Sequence, residues 1–171
     1  MEWHEQKTTK KGDVGEEIVR NYLLSKGYVP YVPIAEKAHP FDNLCASQDK
    51  KHIFIAEVKT KEARKYYPDT GIDIRHYKEY KFISNKYSIP VWLFFVDATN
   101  KKIYGNKLKK LEEPTVSNGK SYPLEQKGII YFPLELMKTI ALLSDESCAK
   151  IKMYNTKNYE GAWVYSAKEE A

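Results

Sequence analysis

Apolar residues at Val14, Ile18, Val19, Tyr22 and Leu23 recur at helical spacing, so residues 14 to 26 are predicted to form an amphipathic helix that Gly27 terminates. Residues 28 to 34 are rich in strand formers, but Pro30 and Pro33 each remove a main-chain donor, which restricts the stretch to a sheet edge or an extended lead-in. Two short strands over residues 41 to 46 and 52 to 60, joined by the polar Ser47-Gln48-Asp49-Lys50-Lys51, are predicted to pair antiparallel. Residues 61 to 70 read as a basic loop. A helix then runs from residue 73 or 75 to residue 86, with Tyr77, Tyr80, Ile83 and Tyr87 near one face. Residues 90 to 96 are apolar on both parities, as a strand covered on both faces must be, and are the expected sheet centre. A strand over residues 102 to 104, a loop over 112 to 127 and a strand over 128 to 132 follow. Pro133 then suits the first turn of a helix over residues 133 to 143, and a short strand is expected at 162 to 165. The order predicts an α/β fold, a mixed sheet with helices on its faces.

One strand carries an unusual load. Ile53, Ile55, Glu57 and Lys59 share a parity, so a carboxylate and an ammonium project from the same face as two isoleucines. Burying such groups costs desolvation unless they are paired or bind something. A Glu-Lys pair facing water at a strand end would be one explanation. Across the hairpin, however, Asp42 stands just before the apolar Leu44 and Ala46, so two carboxylates can converge. A Mg²⁺ ion takes oxygen ligands, and one or two carboxylates with a backbone carbonyl, here that of Val58, and substrate phosphate oxygens would satisfy it.

Asp42, then Glu57-Val58-Lys59, preceded by a helix with Gly15-Glu16, resembles the PD-(D/E)xK nuclease superfamily, in particular its resolvase-like and phage or recombination-type members. The resemblance covers residues 12 to 104 and implies a restriction-endonuclease-like αβββαβ core, with residues 105 to 171 as a C-terminal extension packed on it. It also implies that Asp42 and Glu57 bind Mg²⁺ or Mn²⁺, one or two ions, that Lys59 positions or activates the attacking water, and that a helix glutamate reaches the metal shell. Glu16 flanks the apolar face whereas Glu17 lies nearly opposite it, so Glu16 is the candidate. The proline that normally adjoins the aspartate is displaced, giving His39-Pro40-Phe41-Asp42, and it has no chemical role. Lys61, Arg64 and Lys65 follow the catalytic strand directly, and the next helix brings His76, Tyr77, Tyr80 and Lys81. All seven are candidates for contact with DNA phosphates, with packing an equal alternative for the tyrosines.

The totals add limits. At 171 residues the chain is expected to be one domain, with residues 1 to 11 as a flexible basic arm. A net charge of +5 favours a polyanion such as DNA but matches many solvated basic surfaces. The longest apolar run is too short to span a bilayer, the N-terminus lacks the pattern of a signal peptide, and Cys45 and Cys148 have no partner at metal-ligand spacing. A cytoplasmic protein with reduced thiols is expected, and a homodimer is compatible with the family. The expected function is a metal-dependent deoxyribonuclease in repair, recombination, phage replication or restriction. The competing readings are a catalytically inactive nuclease-like domain that binds nucleic acid and an unrelated α/β partner-binding protein.

Overall fold

The computed structural model describes residues 5 to 34 and 40 to 155. Helix α1 (Lys7–Ser25) buries Val14, Gly15, Val19 and Leu23, the stripe expected from the periodicity. It ends where the main chain turns left-handed at Gly27, φ +82°, a conformation that costs glycine no steric clash. Its start lies earlier than the apolar pattern indicates. From Lys7 on, the expected basic arm is the first turns of α1, because polar residues extend a helix already held by its buried half.

Strands β1 (Tyr28–Tyr31), β2 (Asn43–Ser47) and β3 (Ile53–Thr60) pair antiparallel in succession. Strand β4 (Asp69–Asp73) and helix α2 (Ile74–Tyr87) then carry the chain to β5 (Val91–Asp97), which pairs parallel with β3, and β6 (Lys102–Lys107) returns antiparallel. The main sheet has the order β1-β2-β3-β5-β6 and then β11 (Lys138–Leu142), so β3 and β5 are its central pair. Its outer strand β11 comes from the C-terminal extension. The αβββαβ order expected for the core is met by α1, β1, β2, β3, α2 and β5.

Residues 105 to 155 depart most from expectation. The loop expected over 112 to 127 contains, after the short helix α3 (Leu108–Leu111), a hairpin of β7 (Thr115–Ser117) and β8 (Lys120–Tyr122) and then β9 (Leu124–Gln126). Strand β10 (Ile129–Pro133) pairs with both β9 and β4, making a second sheet of order β4-β10-β9. The helix expected over 133 to 143 is instead one 3₁₀ turn, Leu134–Leu136, followed by β11. Its apolar spacing fits either structure over so short a span, and the open edge of β6 decides for a strand at Thr139 and Ile140. Helix α4 (Asp145–Lys152), capped by Ser144 and packed against α1, was not anticipated, and the strand expected at 162 to 165 lies outside the described residues.

The parity of the central strands divides the interior in two. Ala56, Val58, Phe94 and Val96 face α1 and α4 with Val14, Val19, Leu23 and Ile151. Ile55, Leu93, Phe95 and Tyr104 face α2 and the second sheet with Ile72, Tyr80 and Phe132. Helix α1 lies close to β3: a Cβ added at Gly15 would stand 1.8 Å from Thr60 Oγ1 and 2.9 Å from Thr60 Cβ. A glycine in a helix interior costs about 1 kcal/mol against alanine, and this approach explains why one is present.

Gly15→Ala should therefore lower stability by about 1–3 kcal/mol, although alanine is the better helix former. Thr60→Ala should recover part of that loss in a double-mutant cycle read by thermal unfolding. Stabilisation by Gly15→Ala alone would show that α1 does not sit this close to β3.

Candidate active site

The hairpin register sets Asn43 opposite Ala56, which brings Asp42, one residue before β2, against Glu57. Two hydrogen bonds lock this corner. The Val58 N–H donates to Asp42 Oδ2 at 2.7 Å, and the Asp42 N–H donates to Glu57 Oε2 at 3.3 Å. Glu57 is only 2% exposed, and its other oxygen, Oε1, accepts from Lys59 Nζ at 2.5 Å and from the Tyr80 hydroxyl. The same-parity placement of Glu57 and Lys59 on β3 is thus realised as an ion pair between a half-buried ammonium and a buried carboxylate, beside a second carboxylate.

A third carboxylate adds to the negative charge. Burial, then Asp13 and Glu57, push Glu16 above its ordinary value. For Asp42 the effect is larger: burial first, then the charges of Glu57 and Glu16, raise it from 3.8 to about 7, against the opposing pull of Lys59 and of the Val58 N–H. Lys59 responds in the other direction. Burial draws its pKa down, but attraction to Glu57, Asp42 and Glu16 outweighs that, so the ammonium holds its proton more firmly than in water. It is suited to offset charge rather than to act as a neutral base. Glu17 is exposed and pairs with Lys150 at 3.2 Å, so of the two helix glutamates Glu16 alone belongs to the cluster.

Tyr80 has a role that sequence did not resolve. It lies 3% exposed on the inner face of α2 and donates to Glu57, with Lys59 Nζ 3.5 Å from its oxygen. The spacing of Tyr77, Tyr80 and Ile83 marks the buried stripe but cannot say that a tyrosine hydroxyl ends on a strand carboxylate. Asn43, fully buried beside Asp42, was also missed; its Oδ1 accepts from Arg20 Nε of α1 at 3.5 Å, and its Nδ2 has no partner among the described residues.

The remaining candidates separate into inward and outward groups. Lys61 donates to the Gly71 carbonyl at 2.8 Å, and burial together with Lys59 lowers its pKa. Arg64 grips the buried Asp69 through two nitrogens at 2.6 and 2.5 Å, and Asp69 also accepts from the Tyr122 hydroxyl at 2.5 Å. Tyr77 donates to Glu112 at 2.6 Å, and Lys81 pairs with the same carboxylate at 2.9 Å. Lys65 and His76 are exposed.

Among the described residues no group of three or more His, Cys, Asp or Glu side chains is arranged as a metal cage. The donor chemistry at Asp42 and Glu57 nevertheless fits a hard divalent cation: both are oxygen donors, and Asp42 is raised by burial and then by like charges, the second of which a cation would relieve. Glu57 would have to share its charge between such a cation and Lys59.

No family model matches the chain, and no curated protein matches it. Nine chains of solved structures do match. One is Hjc, a Holliday junction resolvase from the archaeal hyperthermophile Archaeoglobus fulgidus, at 9% sequence identity and a TM-score of 0.52, with 73% of this chain and 90% of that chain covered. At that identity the likeness shows the fold: a central mixed sheet flanked by helices, of the resolvase and restriction-endonuclease-like type.

Proposed function

We propose that this protein is a divalent-metal-dependent nuclease that hydrolyses DNA phosphodiesters. The observation that carries the proposal is the meeting of Asp42 and Glu57 from adjoining strands with the Lys59 ammonium on Glu57. The fold it shares with a Holliday junction resolvase supports the same class and makes branched DNA, as met in recombination, the first substrate to test. A surface ion pair in an unrelated α/β protein would not require a buried glutamate or an aspartate raised by burial and by neighbouring carboxylates.

Asp42 and Glu57, with the Val58 carbonyl and Glu16, would hold Mg²⁺ or Mn²⁺. When bound, the cation would supply Lewis-acid polarisation of the phosphate. Lys59, kept cationic by the carboxylates, offsets the negative charge that grows on the phosphate as water adds and the ester oxygen leaves. Tyr80 and the Val58 N–H fix the orientation of the two carboxylates, so that little reorganisation is needed during the reaction. Exposed Lys65 and His76 would meet the DNA backbone from the rim, and Lys61 and Arg64 would support it from within.

Asp42→Asn and Glu57→Gln should each abolish cleavage of junction, duplex and single-stranded DNA in Mg²⁺ or Mn²⁺, and Lys59→Ala should reduce it roughly 10³-fold, as loss of a charge-stabilising donor does. Glu16→Gln should lower the rate whereas Glu17→Gln should not. Retention of full activity by the Asp42 or Glu57 variant would remove the site.

The pH dependence has a defined sign. With its folded-state value raised from 3.8 to about 7, Asp42 favours the fold while protonated, and that contribution fades as pH rises through about 7. Metal-free protein should thus lose stability between about pH 4 and 7, and Asp42→Asn should melt higher than wild type at pH 8. Mn²⁺ affinity in the wild type, read by calorimetry, should increase through the same range with release of a proton. A pH-independent affinity there would contradict the electrostatic description of the site.

A further inference from the structure

We infer that a cleft on the α1 face of the main sheet binds single-stranded nucleic acid by stacking bases on its aromatic floor. The cleft, of about 730 Å³, lies between the last turns of α1, at Tyr22 and Leu23, and the starts of β3 and β5, which the helix leaves partly uncovered. That volume falls within the usual range of ligand sites, about 300–1,000 Å³. Its floor is made by Tyr22, Tyr28, Phe54, Trp92 and Phe94, of which the first four are only partly buried. Trp92 and Phe94 stack with ring centroids 5.9 Å apart, and Tyr28 meets Phe54 edge-on at 5.4 Å. The rim carries Lys51, His52, Lys107 and Lys138, all exposed, with Lys107 directly across the β5–β6 pair from Trp92.

The charge selects the occupant. Among the described residues no aspartate or glutamate lines the cleft, so an apolar floor is rimmed by three lysines and a histidine with no acidic side chain between them. A second copy would set one basic rim against another on a chain of net charge +5, and an apolar peptide would leave the lysines without counter-charge. A strand of unpaired bases presents flat apolar faces to the aromatics and phosphates to the lysines, the combination by which single strands are held without sequence readout. Stacked bases in a duplex cannot offer those faces.

Phe54 and Glu57 differ in parity, so the cleft and the cleavage site occupy opposite faces of β3, about 10 Å apart along it. The inference rests on the proposed action on DNA only for the class of its polyanion, because its residues are separate from those that would cut. A strand in the cleft would be an arm held away from the scissile phosphate.

The test is fluorescence anisotropy of the full chain in EDTA with labelled oligo(dT), oligo(rU) and a duplex, each of about 16 nucleotides or base pairs, the upper site size of comparable modules. Both single strands should bind more tightly than duplex; a preference between them identifies the sugar that is accepted. Trp92→Leu and the pair Lys107→Glu with Lys138→Glu should each weaken oligo(dT) about ten-fold. The pair should also reduce the salt dependence, while Lys109→Glu with Lys127→Glu, an equal charge change outside the cleft, should alter affinity less than about three-fold. Circular dichroism checks folding, and if Trp92→Leu does not fold the lysine pair decides. Equal binding of duplex and single strand, wild-type affinity in the lysine pair, or self-association lost in that pair would overturn the inference. Strand binding by a protein that cuts nothing in Mg²⁺ or Mn²⁺ would leave the cleft standing and remove the nuclease proposal. Cleavage with no effect of the lysine pair on strand affinity would do the reverse.

Discussion

The constraint on which the rest of the structure depends is electrostatic: Asp42, Glu57 and Glu16 approach one another in a region of low exposure, with Lys59 as the cation bonded to Glu57. Left to itself such a group would spread into water, since desolvation and like charge both oppose it. Packing prevents that. The β2–β3 register sets Asp42 against Glu57, Tyr80 holds the far side of Glu57 from α2, and the contact of Gly15 with Thr60 seats α1 so that Glu16 joins. Elements on both faces of the sheet therefore work to hold one unfavourable cluster, which is how folds carry sites suited to a cation or a reacting phosphate.

Much of this was legible in the chain because it depends on short-range regularities. Alternation in β3 places Glu57 and Lys59 on one face before any tertiary contact is known, the hairpin supplies the partner strand, and helical spacing distinguishes Glu16 from Glu17. What was not legible depends on long-range partners. Tyr80 looks like any aromatic in a helical stripe until the crossover sets α2 over Glu57. The stretch 138 to 142 has apolar spacing that a helix also accepts, and only the unpaired edge of β6 makes it a strand. Prolines and a glycine in residues 112 to 127 signal a loop, yet they also mark the turns between strands of three residues each, too short for alternation to show.

The C-terminal extension bears on the site through one buried knot. Arg64, in the segment after β3, is bonded to Asp69, which also accepts from the Tyr122 hydroxyl of β8, and its guanidinium lies 3.8 Å over the Tyr131 ring of β10. A carboxylate with no exposure is tolerable only because the guanidinium and the phenol satisfy it, and removing any member would strand the others. The knot fixes the segment that leaves β3. It also turns Arg64 inward, as the Gly71 carbonyl does Lys61, so a basic run in the sequence becomes mostly internal structure. The positive charge of the chain is therefore a poor guide to where a polyanion would lie, and exposed lysines elsewhere gain weight.

Three of those exposed lysines, Lys51, Lys107 and Lys138, surround the beginnings of the central strands. Because β3 and β5 are buried on both faces, each supplies alternate residues to two different environments. On the α2 face the alternation places charged groups at the C-terminal half of β3; on the α1 face it places Phe54 and Trp92 at the beginnings of the two strands, where α1 no longer covers them. A sheet wider than its covering helix must end in either solvated polar side chains or exposed apolar ones. Here it ends in aromatics ringed by lysines, and a strand of unpaired bases is a partner that satisfies both at once.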